Sequence, residues 1–265
     1  MSVPIFLVDA FTTVPFAGNP AGVCLLPSWR SDRWMQAIAA EMNVAETAFV
    51  VRDGSAYGLR WFTPAVEVPL CGHATLAAAH VLYGSGQDDG RIVFSTMSGE
   101  LRAARVGDGI ELDFPASPVE RCDAPPDLVS GLGVTLMFVG RTSQPECGEA
   151  RYLCELKDEQ TVRSVTPDIA RLRAVPGNVI ITARATGDYA IVSRFFAPRV
   201  GIDEDPVTGS AHCSLAPYWA SRLGRSHFRA WQASARGGEI EITLRDDRVG
   251  LAGHAVTVWS GACQV

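Results

Sequence analysis

The chain is short of positive charge: Lys and Arg number 23 against 29 Asp and Glu, a formal net charge of −6 over 265 residues. That balance leaves no electrostatic footprint for nucleic acid or an anionic membrane surface, so small molecules are the expected partners. Long apolar runs are missing too. Residues 1–10 carry no basic leader and their apolar stretch is broken by Asp9, so neither a signal peptide nor a membrane span is expected. No C-x-x-C pair occurs. The seven cysteines (Cys24, Cys71, Cys122, Cys147, Cys154, Cys213, Cys263) are odd in number and dispersed, which fits a reduced cytoplasmic chain with small buried thiols. His80, His212, His227 and His254 fall at no metal-ligand spacing. Charged residues are only 20% against 47% hydrophobic, which excludes a disordered chain and supplies a packed core.

What is present is an internal repeat. Residues 60–66 read R-W-F-T-P-A-V, and residues 194–200 read R-F-F-A-P-R-V. Each leads into a small turn and an apolar helix, at Cys71-Gly72-His73-Ala74 and at Thr208-Gly209-Ser210-Ala211. The offset grows from 134 to 137 residues between these matches, and Ser98-Gly99-Glu100-Leu101 meets Gly237-Gly238-Glu239-Ile240 at 139. These offsets are close to half the chain. They predict an α+β protein of two similar domains, 1–118 and 127–265, with a Pro-rich linker between them and the last strand free to cross back to the first. The helix from Gly72 to Tyr83 has almost no polar face, so each half is expected to wrap a mostly antiparallel curved sheet around a central helix. Ser31 is the expected cap of a helix ending near Asn43, and Thr166 with Pro167 the expected start of its counterpart. Pro217 should bend the second central helix near Cys213.

Both glycine turns precede helices, where unpaired N–H groups and the helix dipole favour a carboxylate. His73 lies in the first turn; Asp205 and Ser210 flank the second. Asp203, Glu204 and Asp205 read as an acidic loop that the first half lacks. Glu46 sits between the helix ending near Asn43 and an apolar strand, a setting that raises a carboxyl pKa and suits it to general acid–base work. The matching part of the second half, residues 176–179, has no acid.

Three segments carry a resemblance: Asn43-Val-Ala-Glu-Thr-Ala-Phe-Val50, Cys71-Gly-His-Ala-Thr75 and Asp203-Glu-Asp-Pro-Val-Thr-Gly-Ser-Ala-His212. Together with Val8-Asp-Ala-Phe11, Gly18-Asn-Pro-Ala-Gly22 and residues 232–238, they resemble the signatures of the PhzF, or phenazine biosynthesis-like, family, similar in fold to diaminopimelate epimerase. The resemblance implies an isomerase whose active site lies in the cleft between the domains, with no metal or organic cofactor, usually a homodimer. It implies that Glu46 moves a proton between two carbons of a small carboxylic acid. His73, Asp205 and Ser210 match the polar residues that assist, and Gly72 and Gly209 the turns that receive the substrate carboxylate. Ala74 and, at the cleft rim, Asn19 complete the expected binding set. Ala45 stands where that family commonly has serine.

Two other readings stay open. An amino-acid epimerase with paired thiols needs an acid on each face of one carbon; Cys71 is at the right turn, but its repeat partner is Thr208, a poor base near neutral pH. A ligand- or protein-binding role on an enzyme-derived fold is the third, since fold does not fix function.

Overall fold

The computed structural model describes residues 2–88, 90–142 and 150–264. It divides into two compact units, Met1–Asp113 with Ala252–Val265, and Phe114–Leu251; the sequence points to boundaries at 118 and 127. Cys147 lies outside the described residues.

In the first unit, β1 (Ser2–Ala10) runs antiparallel to β2 (Asn19–Leu26) on one side and to the last strand, Ala255–Gln264, on the other. β2 pairs in parallel with β3 (Glu46–Asp53) across helix α1 (Asp32–Met42). β3 is antiparallel to β4 (Ala56–Phe62), which pairs antiparallel with the two-residue β5 (Glu67–Val68) and parallel with β6 (Ile92–Thr96) across α2 (Gly72–Gly84). β7 (Gly99–Val106) and β8 (Gly109–Pro115) continue as an antiparallel meander. Ser31 caps α1 by accepting the Trp34 N–H, and Asn43 ends it in the left-handed region. Met35 and Ala39 on its inner face pack with Phe49 and Phe62 in one apolar cluster. α2 buries an unbroken run from His73 to Ala79, as a helix without a polar face must.

The second unit contains β9 (Val119–Arg121), α3 (Pro126–Leu132), β10 (Phe138–Thr142), β11 (Arg151–Glu155), α4 (Glu159–Ser164) and α5 (Ile169–Leu172). There follow β12 (Asn178–Arg184), β13 (Ile191–Ala197), β14 (Ile202–Asp205), α6 (Gly209–Leu223), β15 (His227–Gln232) and β16 (Gly238–Arg245). β11 is parallel to β12 across α4 and α5, and β12 antiparallel to β13. β13 is antiparallel to β14 and parallel to β15 across α6, and β15 antiparallel to β16. This is the pairing order of β2 to β7, reproduced strand for strand, so the repeat in the sequence is a repeat of topology.

Several expectations need correction. Asp168, not Thr166, caps α5 by accepting the Arg171 N–H, because the helix starts two residues later than Pro167 suggests. Cys122 and Cys263 are half-buried rather than core residues. The acidic run is not a loop: it forms β14, with Asp203 exposed, Glu204 half-buried and Asp205 buried. Glu204 takes a two-pronged ion pair from Arg194 at 2.7 and 2.9 Å. In the first unit Arg60 does the same to Glu67 at 2.7 and 2.6 Å. The arginine of each R-(W/F)-F motif thus holds the short strand after it, and Glu204 has a counterpart after all. α6 runs from Gly209 to Leu223 with Pro217 in its interior, where the sequence places a bend. The Cys213 carbonyl, which Pro217 cannot bond, accepts the Ser117 N–H at 3.0 Å.

Candidate active site

The first unit gathers four sequence-predicted or flanking residues around the start of α2. Gly18 turns the chain at φ +65°, where an added Cβ would run into the Ala10 carbonyl oxygen. Asn19, the next residue, opens β2 and is fully buried. Its Nδ2 lies 3.2 Å from Nδ1 of His73. Glu46 is the first residue of β3, brought there by the left-handed Asn43, and its side chain is 12% exposed. Its Oε2 lies 3.3 Å from Nε2 of His73. Cys71, at the N-cap of α2, places Sγ 3.5 Å from the same Nδ1.

These contacts assign the imidazole. Burial pushes the His73 pKa down to about 3, so the ring is neutral at pH 7 and carries one proton. The Asn19 amide N–H donates to Nδ1, and the Cys71 thiol is placed to do the same. The proton is therefore on Nε2, the ring nitrogen 3.3 Å from Glu46 Oε2. Among the described residues Nε2 has no hydrogen-bond partner, so its 3.3 Å approach to the Glu46 carboxylate is a close contact between a neutral ring and an acid. Cys71 makes no side-chain cap to α2, so first-turn amides at Gly72, His73 and Ala74 keep their donor capacity.

The second unit builds a different arrangement on the same backbone frame. α6 also starts without a side-chain cap, at Thr208-Gly209-Ser210. The Thr208 hydroxyl donates a short hydrogen bond to the Asp205 carboxylate. Gln232, at the end of β15, accepts the Thr208 N–H at 2.8 Å, and its Nε2 is shared between the Asp205 carbonyl at 2.8 Å and the Thr208 hydroxyl at 3.2 Å. All three residues are buried. Ser210 is half-buried in the first helical turn. His212 donates from Nδ1 to the Thr208 carbonyl at 2.8 Å, and burial lowers its pKa to about 4, so it serves as a neutral structural group.

Sequence reasoning misses Gln232 and Thr208 as organisers of this turn. In the sequence Gln232 is only one position of a motif, and Thr208 only the repeat partner of Cys71. The available signal is that a buried carboxylate before an uncapped helix needs donors. Among the described residues, Glu46, Cys71 and His73 also form a group whose ligand atoms all lie within 4.8 Å of one another.

Comparison with known proteins places these features in a family. The model of the phenazine biosynthesis-like protein family, PhzC-PhzF, matches residues 8–261. An uncharacterized isomerase of Halalkalibacterium halodurans is 47% identical over 263 residues, covering 97% of each chain. Phenazine biosynthesis-like domain-containing protein 1 of mouse is 44% identical, covering 98% of this chain and 99% of its own. Among solved structures, a phenazine biosynthesis protein of the PhzF family from Enterococcus faecalis superposes with a TM-score of 0.94 at 39% identity, covering both chains completely. A probable proline racemase from Agrobacterium radiobacter is similar in fold, with a TM-score of 0.64 at 13% identity, covering 99% of this chain and 92% of its own.

Proposed function

The chain belongs to the phenazine biosynthesis-like family, and on that premise we propose that it is an isomerase in which Glu46 carries a proton between carbons of a small carboxylic acid, without a cofactor. Relatives named as isomerases support the reaction class. The observation that carries the finer reading is the 3.3 Å approach of His73 Nε2 to Glu46 Oε2, buried beside the open amides of α2. In this reading His73 orients Glu46, and the turns at Gly72 with Ala74, and at Gly209 with Ser210, are carboxylate-receiving groups. Asp205 acts through Thr208, holding the turn in place. Asn19 fixes the tautomer of His73.

The test is the rate of proton transfer in Glu46→Gln. A positioned general acid–base group contributes ~10²- to 10⁴-fold. The variant is expected to lose turnover on that scale with an unchanged melting temperature; retained turnover contradicts the proposal.

A second reading, an amino-acid epimerase, draws on the Cys71 thiol beside His73 Nδ1. It requires α-carbon exchange when L-amino acids are incubated with the protein in D₂O, and absence of exchange removes it. A cytoplasmic homodimer belongs to the main proposal, and light scattering on the purified chain tests the dimer.

A further inference from the structure

Glu46, Cys71 and His73 offer a carboxylate, a thiol and an imidazole, which is a donor set suited to zinc. The three side chains come from two elements, the first residue of β3 and the first turn of α2, so the backbone rather than chance side-chain reach brings them together. They are shielded from water: Cys71 is 7% and His73 5% exposed, and the Glu46 side chain 12%. One ligand atom from each lies within 4.8 Å of the others.

The geometry is close to what an ion needs. With Zn–S about 2.3 Å and Zn–N about 2.0–2.1 Å, tetrahedral angles place sulfur and nitrogen roughly 3.6 Å apart. Cys71 Sγ and His73 Nδ1 are 3.5 Å apart. The Glu46 carboxylate faces Nε2 at 3.3 Å, so it reaches an ion on Nδ1 only by a change of side-chain rotamer, and a fourth position stays open. On binding, Nδ1 exchanges its hydrogen bond from Asn19 for the metal, and the Cys71 thiol loses its proton.

We propose that Glu46, Cys71 and His73 form a binding site for one soft divalent cation of the zinc type, and that its occupancy withdraws Glu46 from proton transfer. The cation is an inhibitor, not a participant in the reaction. The inhibitory part rests on Glu46 being the proton carrier; the binding part does not, and it is read without any activity.

The experiment titrates the intact protein with Co²⁺ and follows its absorption, then displaces Co²⁺ with Zn²⁺. The expected result is a sulfur-to-cobalt charge-transfer band saturating at one ion per chain and removed by Zn²⁺. In Cys71→Ser the band should vanish, and Zn²⁺ affinity should fall on the order of tenfold or more. In Glu46→Gln the band should persist while Zn²⁺ affinity falls similarly. A wild-type protein with no charge-transfer band, or Zn²⁺ affinity unchanged in either variant, overturns the site. Should Cys71→Ser fail to fold, protection of Cys71 from iodoacetamide by Zn²⁺ in the wild-type chain, located by mass spectrometry, decides in its place. Zn²⁺ binding with these signatures but undiminished proton transfer would refute the inhibitory step and the role of Glu46 while leaving the metal site standing. Inhibition reversed by a chelator supports both.

Discussion

The first turns of α2 and α6 are two copies of one backbone device used for two purposes. Both open on glycine, both lack a side-chain cap, and both follow a short strand pinned by an arginine–glutamate pair. At α2 the neighbouring carboxylate, Glu46, lies 3.3 Å from Nε2 of a neutral imidazole. At α6 the neighbouring carboxylate, Asp205, accepts the Thr208 hydroxyl, and Gln232 ties Thr208 down in turn. A duplicated frame therefore gives its two acids different surroundings, a neutral imidazole at one and a hydroxyl tied to a glutamine at the other. Asp205 is buried, and its contacts with Thr208 and Gln232 hold the turn.

Glu46→Gln and Asp205→Asn test that difference most strongly. The first is expected to lose ~10²- to 10⁴-fold in turnover with little change in stability. The second should lose far less turnover but stability of about 1.5–3 kcal/mol, because it weakens a hydrogen bond to a charged acceptor. Equal losses of turnover would erase the distinction. Urea denaturation of both variants supplies the stability half.

Next in size is Gln232→Ala, which leaves the Thr208 N–H without its acceptor in a buried site. It should cost ~2–3 kcal/mol by denaturation, since one buried unsatisfied group costs ~1–3 kcal/mol and two further bonds go with it. Asn19→Ala removes the contact to His73 at the other turn and should cost about 1 kcal/mol, while reducing turnover by freeing the His73 tautomer.

The two turns also share a pH signature. His73 and His212 have folded pKa values lowered to about 3 and about 4 by burial, against ~6.5 for an unfolded histidine. Between those limits the unfolded chain binds more protons. Stability is then full above roughly pH 6.5 and falls as pH drops through the window toward 4. Thermal melts from pH 7.5 to 4.5 should show that decline, and His212→Asn should flatten part of it. A profile insensitive to pH across that range contradicts both assignments. The smallest effect is Ser31→Ala, remote from either turn, which should cost about 1 kcal/mol of stability through its lost cap and leave turnover unchanged.

Much of this is legible in the amino-acid sequence itself. The repeated R-(W/F)-F segments and the two glycine turns mark the duplication, and the strand pairings follow it in the same order. Local chemistry is legible where one residue acts on its own neighbours, as Ser31 and Asn43 do. It fails where a long-range partner decides. Asp203 to Asp205 read as a solvated loop because the arginine that holds Glu204 lies ten residues away on another strand. The offset of 137 that aligns the turns also aligns Glu67 with Glu204, and that is the signal for the pairing. Asp168 replaces Thr166 as a cap because both residue types cap well, and only tertiary context chooses the start. At the site, Glu46 and His73 stand out by residue type, but their contact, and the part Asn19 plays in it, depend on β2 and β3 pairing in register.

The most direct test of Glu46 as proton carrier is deuterium incorporation. The intact protein is incubated in D₂O with a panel of small unsaturated carboxylic acids, and the carbon-bound protons are followed by NMR. Wild-type protein should place deuterium at one carbon of an accepted acid, and Glu46→Gln, folded to the same melting temperature, should place none above the ~10²-fold lower background. Incorporation by Glu46→Gln at the wild-type rate would contradict the account.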